Sequence, residues 1–288
     1  MQGKFDTNVV LKIKKEENKA PQFCGADKTV VFNIMSTYGM PICAVCDFEK
    51  VKPHLLECRA KSRLPLNAKS VIMAIFPYKV EEKAPKNISR YAAVPDYHKV
   101  CGDMLKAASE EMKKHYVNYS FEVFIDSSPI PEVAAAVECG LGVKGKNGLL
   151  INQKYGSYVF IGEIVTDLYL PPDSPNSPKS CLDCGQCISF CNTITSKKDC
   201  LSAVNQRKKL ENALEIEKIA QSRCVWGCDG CSDVCPMNKN SAATYIEEFI
   251  QGYRNEYVPG EDSSNRAYTW RGEDVIKRNY EIITAQLK

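Results

Sequence analysis

Hydrophobic positions in the first 170 residues switch between two periods, which predicts alternating strands and helices. Apolar residues recur at helical spacing in residues 103–116. A second helix is predicted over residues 131–139, because this segment opens with a proline and is followed by Gly140. Four further segments have the length and apolar pattern of strands: Pro41–Cys46, Ser70–Phe76, Phe121–Asp126 and Tyr158–Val165.

This alternation predicts a three-layer α/β domain over residues 29–170, with helices on both faces of a mixed sheet. Residues 1–28 precede the domain as a polar, lysine-rich leader, which we expect to be disordered and to which we assign no function. Proline and serine crowd residues 171–178, so a linker is predicted over 171–180.

Composition and charge indicate a soluble, cytoplasmic protein. Of the 288 residues, 44% are hydrophobic and 25% are charged, with a formal net charge of +3. The small basic excess is weaker than the footprint expected of a dedicated nucleic-acid-binding surface. No apolar stretch has the length of a membrane-spanning helix and no secretory signal opens the chain, so we expect a reducing compartment and no membrane contact.

The most informative chemistry is a cysteine-rich segment in which nine of the fifteen cysteines fall. One run has the spacing C-x₂-C-x₂-C-x₃-C, and the other has C-x₂-C-x₃-C-P. Three closely spaced thiolates can hold one cubane while the next cysteine reaches a second one, as in bacterial two-cluster ferredoxins. The spacing therefore predicts two [4Fe–4S] clusters. The runs supply seven ligands: Cys181, Cys184, Cys187, Cys191, Cys228, Cys231 and Cys235.

Two other uses of these cysteines fit the pattern less well. A disulfide scaffold is unexpected, because a chain of 288 residues can bury an ample core in a reducing compartment. Zinc also binds C-x₂-C pairs. A zinc ribbon, however, needs two pairs, whereas here three cysteines fall within seven residues and another follows after a three-residue gap.

The eighth cluster ligand is either Cys200 or Cys224. Cys200 lies nine residues after Cys191, at the end of a polar stretch. Cys224 lies four residues before Cys228 and would crowd the second loop. The sequence favours Cys200 and leaves Cys224 open.

The cysteine runs define a predicted ferredoxin-like two-cluster domain over residues 181–240. A helix is predicted between the runs, near residues 208–221. A C-terminal helical tail is predicted over residues 241–288, beginning with a helix near 242–252.

Two short motifs resemble cofactor signatures without their context. Residues 140–145 match G-x-G-x-x-G, but a helix is predicted before them where a dinucleotide site needs a strand. The same turn can still cradle phosphate or amide groups through Lys144, Lys146 and Asn147. Asp96-Tyr-His98 resembles the start of a cobalt-ligating D-x-H-x-x-G motif, but cysteine replaces the final glycine, so we do not expect His98 to ligate cobalt.

Cys43 and Cys46 have the C-x-x-C spacing of a thioredoxin-like redox pair. They fall in a predicted strand, however, where residues three apart point to opposite faces of the sheet. We therefore predict two separate buried cysteines and no disulfide between them.

Asp126 ends a predicted strand and precedes Ser-Ser-Pro-Ile-Pro. In this position an aspartate can cap a turn or a helix. It can equally serve chemistry, because the loops at the carboxyl ends of strands in α/β domains are where functional sites gather. The residues alone leave both interpretations open.

Five segments, in order, resemble motifs of the epoxyqueuosine reductase family, and the likeness runs from about Ile34 to Asn238. The segments are Ser89–His98 ("YA…DYH"), Phe124–Glu132 ("VDSAPVLE"), Gly140–Ile151 ("GLGWIGKNTLLI"), Gly156–Asp167 ("GSWFFLGEILTDL") and Gly227–Pro236 ("GCDDCQDVCPWN").

The resemblance implies a cobalamin-dependent oxidoreductase that removes the epoxide oxygen of epoxyqueuosine at the tRNA wobble position. It implies that the α/β domain holds cobalamin beside two [4Fe–4S] clusters. Asp126 matches the catalytic acid, and Tyr97 and His98 match residues near the cobalt and the substrate. In an apolar cofactor pocket, we expect burial to raise the pKa of Asp126 and keep it protonated.

The family pattern also implies how the cysteines divide between the clusters, and it implies a ferredoxin- or flavodoxin-type electron donor. One cluster takes Cys181, Cys184, Cys187 and Cys235, and the other takes Cys191, Cys200, Cys228 and Cys231.

The chain also departs from the family pattern. Ser89 stands where some members have an active-site cysteine, and the "RCISYLTIE" segment is shortened to Asp199–Asn205. Full-length members continue into helical repeats that grip tRNA, whereas this sequence stops at Lys288. The leading hypothesis is family-type reduction with the tRNA anticodon loop as partner. The alternative is a corrinoid-handling or electron-transfer protein that acts on a protein partner or another substrate.

Overall fold

The computed structural model describes residues 27–81, 86–175, 180–191, 193 and 196–286, apart from the side chain of residue 197. Except for its last two residues, the predicted leader lies outside these ranges, as do residues 176–179 of the predicted linker. Asp173, in the described part of the linker, accepts a hydrogen bond from the backbone N–H of Val45 (2.9 Å) and forms an ion pair with Lys28 (2.5 Å). The linker therefore begins bound along the edge of the sheet.

Within the described residues, four strands form the main sheet in the order β1-β2-β6-β3. Every neighbouring pair is antiparallel. A separate two-stranded hairpin, β4 and β5, follows the third strand of the chain. The strands are β1 (Cys43–Asp47), β2 (Ser70–Pro77), β3 (Phe121–Ile125), β4 (Val143–Lys144), β5 (Leu150–Ile151) and β6 (Val159–Thr166).

The mixed sheet predicted from the sequence is therefore wrong, and the topology gives the reason. β2 and β3 run in the same direction and are joined through a long helix, as in a βαβ unit. β6 inserts between them and runs antiparallel to both, with Val71 and Phe121 paired to Val165 and Thr166 respectively. Local sequence pattern does not reveal which strand fills the gap between two others.

Helices cover both faces of the sheet, so the predicted three-layer arrangement is confirmed. The helices of the α/β domain are α1 (Lys28–Thr37), α2 (Phe48–Val51), α3 (Arg90–Ala93), α4 (Tyr97–His115) and α5 (Glu132–Glu138). The core under α1 and α4 includes Phe76 and Ile164, and the core under α2 and α5 includes Met73 and Val165.

Cys43 and Cys46 belong to different layers, as predicted. Cys43 packs against the core under α1 and α4, whereas Cys46 is fully buried in the core under α2 and α5. Burial raises the pKa of each thiol to about 12. Protonated thiols on opposite faces of a strand do not form a redox pair.

Helix α4 begins six residues earlier than the sequence pattern predicted. The side chain of Asp96 caps it by accepting a hydrogen bond from the backbone N–H of His98 (3.0 Å). Its apolar stripe includes Cys101, Leu105 and Met112, all fully buried. The early start matters because it makes Tyr97 and His98 the first residues of the helix.

The cysteine-rich segment and the residues after it form a third core against the α/β domain. This core contains the buried Trp226 together with Ala92 from α3 and Ile276 from the last helix. The predicted tail also reaches the main core, where Phe249 is fully buried. The helices of this part are α6 (Gln186–Phe190), α7 (Leu201–Val204), α8 (Ala213–Ser222), α9 (Gly230–Asp233), α10 (Glu247–Gln251) and α11 (Glu273–Ala285).

Short 3₁₀ helices complete the secondary structure: Lys52–His54, Arg59–Arg63, Lys197–Asp199, Pro236–Asn238 and Thr269–Arg271. In the part of the chain that the structure describes, no helix combines the length and the apolar character needed to cross a membrane.

Several residues of the candidate site lie at one end of the strands, where β2 and β3 finish and β6 begins. Because β2 and β3 are parallel to each other, Tyr78 and Asp126 follow them at this end, and Tyr158 precedes β6 there. Helix α4 begins at the same end, which brings Tyr97 to it as well. The cysteine-rich segment also packs there: the hydroxyl group of Tyr158 donates a hydrogen bond to Asp233 (3.0 Å).

Candidate active site and cluster-binding loops

The eight cysteines favoured by the sequence line two neighbouring cavities, four in each. The first cavity contains Cys181, Cys184, Cys187 and Cys235. The second is a cleft of about 1210 Å³ and contains Cys191, Cys200, Cys228 and Cys231. Four thiols around one cavity form the donor set of a [4Fe–4S] cluster. The division is the one that the family resemblance implies.

The two cysteine loops share a local geometry. The backbone N–H of Asp183 donates to the Sγ atom of Cys181 (3.4 Å), and the N–H of Gly230 donates to the Sγ atom of Cys228 (3.4 Å). Gly185 has a φ of +72°, which lets the first loop turn tightly before α6. Among the described residues, the structure brings no three acidic, histidine or cysteine side chains to a single metal position.

Cys224 is placed differently from Cys200. The Sγ atom of Cys224 donates to the carbonyl oxygens of Trp226 (3.3 Å) and Gly227 (3.4 Å), while Cys200 faces the cleft. Because Cys224 lines neither cysteine cavity and its thiol is held by backbone carbonyls, the geometry favours Cys200 as the eighth ligand.

Asp126, His98 and Tyr97 meet at this end of the strands, although Asp126 follows β3 and the other two begin α4. Nε2 of His98 lies 3.2 Å from Oδ2 of Asp126, and the hydroxyl group of Tyr97 donates to the same oxygen (3.3 Å). On the other side of the imidazole, Nδ1 lies 2.7 Å from Oδ1 of Asp96. The Tyr97 ring stacks between His98 and Phe160, with 4.1 Å between centroids on each side. The stack holds the imidazole between the two carboxylates.

The electrostatics of this group reverse one expectation from the sequence. Burial opposes the charge on His98, but hydrogen bonds to Asp126 and Asp96 and the charges of both outweigh it and raise the imidazole pKa to about 9. The hydrogen bond from His98 lowers the pKa of Asp126 below its usual value, against the effect of burial. The predicted rise in the pKa of Asp126 is therefore wrong, because the sequence could not show that a histidine lies against it. The exchangeable proton resides on His98.

The backbone at Asp126 is unusual for residues with side chains. Asp126 and Ser127 have φ values of +49° and +34°, in the left-handed region that favours glycine. Ser128 then turns inward, where its hydroxyl group donates to Glu163 and accepts from the N–H of Ile130 (3.0 Å). These contacts hold a strained turn that directs the Asp126 carboxylate toward His98.

The glycine-rich turn 145–149 lines both cysteine cavities and a third, smaller cavity that contains Asp126. The side chains of the turn have different positions. Asn147 lines both cysteine cavities. Lys146 forms an ion pair with Asp183 in the first cysteine loop. Lys144 is exposed in β4 and lines none of these cavities. Of the three predicted cofactor contacts in this turn, the structure brings Lys146 and Asn147 to the cysteine loops and leaves Lys144 on the surface.

Leu149, in the same turn, lies between the second cysteine cleft and a smaller cavity that contains Asp126, because it lines both. The smaller cavity has a volume of about 210 Å³, and Tyr97, Asp126, Glu132 and Ser157 supply its polar groups. The two cysteine cavities and the Asp126 cavity are thus neighbours that share residues of this turn.

Polar contacts fix the second cysteine loop to the α/β domain. The Arg90 guanidinium lies 2.5 Å from Asp233 and 3.3 Å from Asp229, and the backbone N–H of Arg90 donates to Asp229 (2.7 Å). Gly227 lies so close to Ser89 that a Cβ atom added there would be 2.0 Å from its hydroxyl oxygen. Ser89, at the position where some relatives have a cysteine, is buried and its hydroxyl group has no partner in the described part of the chain.

The sequence analysis assigned no role to three acidic residues of the site. Asp96 is the helix cap that also holds His98. Glu163 is fully buried in β6, and Glu132 begins α5 beside Asp126. A glutamate inside an otherwise apolar strand was the available signal for Glu163, because a buried carboxyl group needs a specific reason.

The chain is similar to known proteins in sequence and in fold. The family model described as "Epoxyqueuosine reductase QueG, DUF1730" matches residues 59–127. A Lactococcus garvieae (strain Lg2) protein named epoxyqueuosine reductase is 32% identical over 252 residues, which cover 78% of this chain and 71% of the relative. The chain belongs to the epoxyqueuosine reductase family. A second relative so named, from Escherichia coli (strain K12), is 36% identical over 171 residues.

The chain spans 44% of the Escherichia coli epoxyqueuosine reductase and 64% of one from Cyclobacterium marinum. Two solved epoxyqueuosine reductase structures share the fold. The Streptococcus thermophilus structure aligns with a TM-score of 0.73 and 23% identity over 91% of this chain and 81% of that one. A complex with an epoxyqueuosine-modified tRNA stem loop aligns with a TM-score of 0.76 and 21% identity over 90% and 80%.

Proposed function

We propose that this chain is a cobalamin- and [4Fe–4S]-dependent reductase that removes the epoxide oxygen of epoxyqueuosine in tRNA. The observation that carries the proposal is the group formed by Asp96, His98, Asp126 and Tyr97, because the cavity that contains Asp126 and Tyr97 shares Leu149 with a cleft lined by four cysteines. Family membership adds the substrate class, because relatives are named for this reaction.

The residues present fit the proposed cofactors. Two separate groups of four thiols supply the eight sulfur ligands of two clusters. The cleft of about 1210 Å³ exceeds the usual size of a small-molecule site and has both apolar and polar walls, as a macrocycle requires. We assign cobalamin to this cleft, where Tyr78, Tyr91 and Leu149 would contact it. When bound, the clusters and cobalamin would supply electrons from a ferredoxin- or flavodoxin-type donor to the substrate carbon.

Residues of this chain hold and transfer the proton that the leaving oxygen requires. His98 is charged at neutral pH because its pKa is about 9, and Nε2 directs its proton at Oδ2 of Asp126. Asp96 accepts from Nδ1 and keeps the ring in the orientation that allows this transfer. Asp126 is thus the group that presents the proton to substrate, and His98 is its source.

Basic side chains near this site suit a nucleic-acid substrate. A second cavity beside Asp126, of about 360 Å³, is lined by Arg63, Lys106 and Lys113, which pair with Glu122, Asp103 and Glu110 respectively and could exchange these partners for phosphate. Phosphate contacts of this kind position a nucleic acid without reading its sequence. We therefore propose that the tRNA anticodon loop approaches along this side.

Anaerobic reconstitution with iron, sulfide and cobalamin, followed by incubation with an epoxyqueuosine-containing stem loop and a low-potential reductant, tests the proposal. We expect absorption and EPR signals of both cofactors, and queuosine as the product. Cluster-loaded protein that retains no cobalamin would contradict it. If cobalamin is retained and reduced but the stem loop is not converted, the alternative of a corrinoid-handling or electron-transfer protein is supported instead.

A further inference from the structure

Two glutamates behind the Asp126 turn each have a buried carboxyl oxygen without a hydrogen-bond partner in the described part of the chain. Glu163 is fully buried in β6, and its direct neighbours on the adjacent strands are Met73 and Phe124. Its Oε1 atom accepts a hydrogen bond from the hydroxyl group of Ser128. Its Oε2 atom is buried and has no partner among the described residues. An ionised carboxylate in this apolar layer would be strongly destabilising.

Glu132 connects this buried group to the active site. It is the first residue of α5 and lines the same cavity as Asp126 and Tyr97. Its Oε1 atom is also buried and has no hydrogen-bond partner in the described part of the protein. Glu163 is bonded through Ser128 to the turn that carries Asp126, and Glu132 shares a cavity with Asp126, so the three carboxyl groups are grouped around one turn.

Few charges face the two glutamates from the surrounding elements. Asp126 acts on Glu132, and Glu132 in turn acts on Glu163. The other acidic residue of α5, Glu138, pairs with Lys50 at the opposite end of the helix. The guanidinium of Arg63 covers the outer face of the Phe124 ring, where it pairs with Glu122.

With no basic side chain bonded to either glutamate in the described structure, repulsion and burial favour retention of a proton by the pair. Burial first, and then the charge of Asp126, raise the pKa of Glu132 to about 8. Burial, and then the charge of Glu132, raise that of Glu163 well above its usual value. The geometry and the electrostatics therefore agree.

We propose that Glu132 and Glu163 form a proton-holding pair that supplies the active site through Glu132, a role that rests on the function proposed above. Converting an epoxide to an alkene and water breaks both carbon–oxygen bonds and consumes two electrons and two protons. The external donor provides the electrons. His98 provides one proton to the departing oxygen through Asp126. The pair provides the second one through Glu132, and solvent in the cavity then reprotonates it.

The pair is tested first without turnover. Infrared difference spectra of the folded, cluster-loaded protein are recorded from neutral to alkaline pH, for the unmodified chain and for Glu132→Gln, Glu163→Gln and Glu122→Gln. Glu122 is a matched control, because it is a partly exposed glutamate on β3 that pairs with Arg63. We expect a protonated-carboxyl band at neutral pH that Glu132→Gln and Glu163→Gln each diminish and Glu122→Gln leaves intact. Absence of the band from the unmodified chain would overturn the proposal.

The titration of His98 gives a second, independent readout. If Glu132 carries a proton at neutral pH, Glu132→Gln removes no charge, so the pKa of His98 stays near its original value. If Glu132 is ionised, the same variant lowers the pKa of His98, and the proposal is overturned. Both measurements are independent of whether the protein reduces epoxyqueuosine.

Turnover measurements then separate a proton-supplying role from a structural one. Glutamine at position 163 can still accept the hydrogen bond from Ser128 but cannot release a carboxyl proton. We expect Glu132→Gln and Glu163→Gln to lower steady-state turnover about tenfold or more and to change the alkaline limb of its pH profile. Unchanged turnover and an unchanged pH profile in Glu132→Gln, a half-buried site where folding is not at stake, would overturn the proposal.

Discussion

Nε2 of His98 lies 3.2 Å from Oδ2 of Asp126, and the imidazole and carboxylate form one acid–base unit. Asp126→Asn keeps the size of the side chain but removes the carboxylate that accepts a proton from His98. We therefore expect turnover to fall at least about a hundredfold, the usual contribution of a positioned acid, while both clusters and cobalamin remain bound. Steady-state conversion of the stem loop, with iron and cobalamin content measured in parallel, checks this.

Asp274→Asn is the control, because Asp274 is exposed in the first turn of α11 and lines none of the cavities described above. It should leave turnover unchanged. An Asp126→Asn protein that is folded and fully active would instead make Asp126 a residue of turn structure.

The raised pKa of His98 predicts a pH dependence of activity and stability. The imidazole pKa is about 9 in the folded protein and 6.5 in a model compound. Its stabilising contribution is therefore fully present below about 6.5 and is lost as pH rises through about 9. Activity should fall in the same alkaline range.

NMR can measure this pKa directly, because the chain has three histidines. In His54→Gln/His115→Gln protein, the one remaining imidazole signal should titrate near 9. Asp96→Asn should lower that pKa, because it removes one of the two carboxylates. A His98 signal that titrates near 6.5 would show that the imidazole is not held by Asp96 and Asp126 in solution.

Cys200 and Cys224 can be distinguished by cluster content. Cys200 lines the second cysteine cleft, whereas the Cys224 thiol donates to the carbonyl oxygens of Trp226 and Gly227. We expect Cys200→Ser to lose about four irons and one EPR-active cluster, and Cys224→Ser to retain both clusters. The opposite result would assign the eighth ligand to Cys224, and zinc in place of iron in the unmodified protein would remove the cluster assignment altogether.

Gly227 is predicted to be intolerant of a side chain for two separable reasons. Its φ of +74° is unfavourable for alanine, and an added Cβ would lie 2.0 Å from the Ser89 hydroxyl oxygen. Gly260 has a φ of +88° with nothing within 4 Å of such an atom, so it has the conformational cost alone. We expect Gly260→Ala to lower the free energy of unfolding by about 1 kcal/mol and Gly227→Ala to lower it by clearly more. Denaturant unfolding measures both, and equal losses would show that Ser89 moves aside freely.

The sequence by itself determined the local elements and a set of candidate cluster ligands. Strand-length apolar segments, helical spacing and the proline and glycine residues at segment ends located β2, β3 and α5 within a residue or two of their observed bounds. Cysteine spacing predicted seven of the eight candidate ligands, because ligands contributed by one short loop are close in sequence as well as in space. The opposite orientation of Cys43 and Cys46 likewise follows from the two-residue period of a single strand.

Only the tertiary structure decided the order and relative directions of the strands and the acid–base chemistry of the site. The position of β6 between β2 and β3 depends on pairing over long sequence separations, which local pattern does not encode. The pKa of Asp126 depends on His98, 28 residues earlier in the chain, and on which group each side chain contacts. Glu132 and Glu163 became significant only when burial removed their water and brought them behind the same turn. Protonation is set by neighbours in space, so the fold had to be known before the proton could be placed.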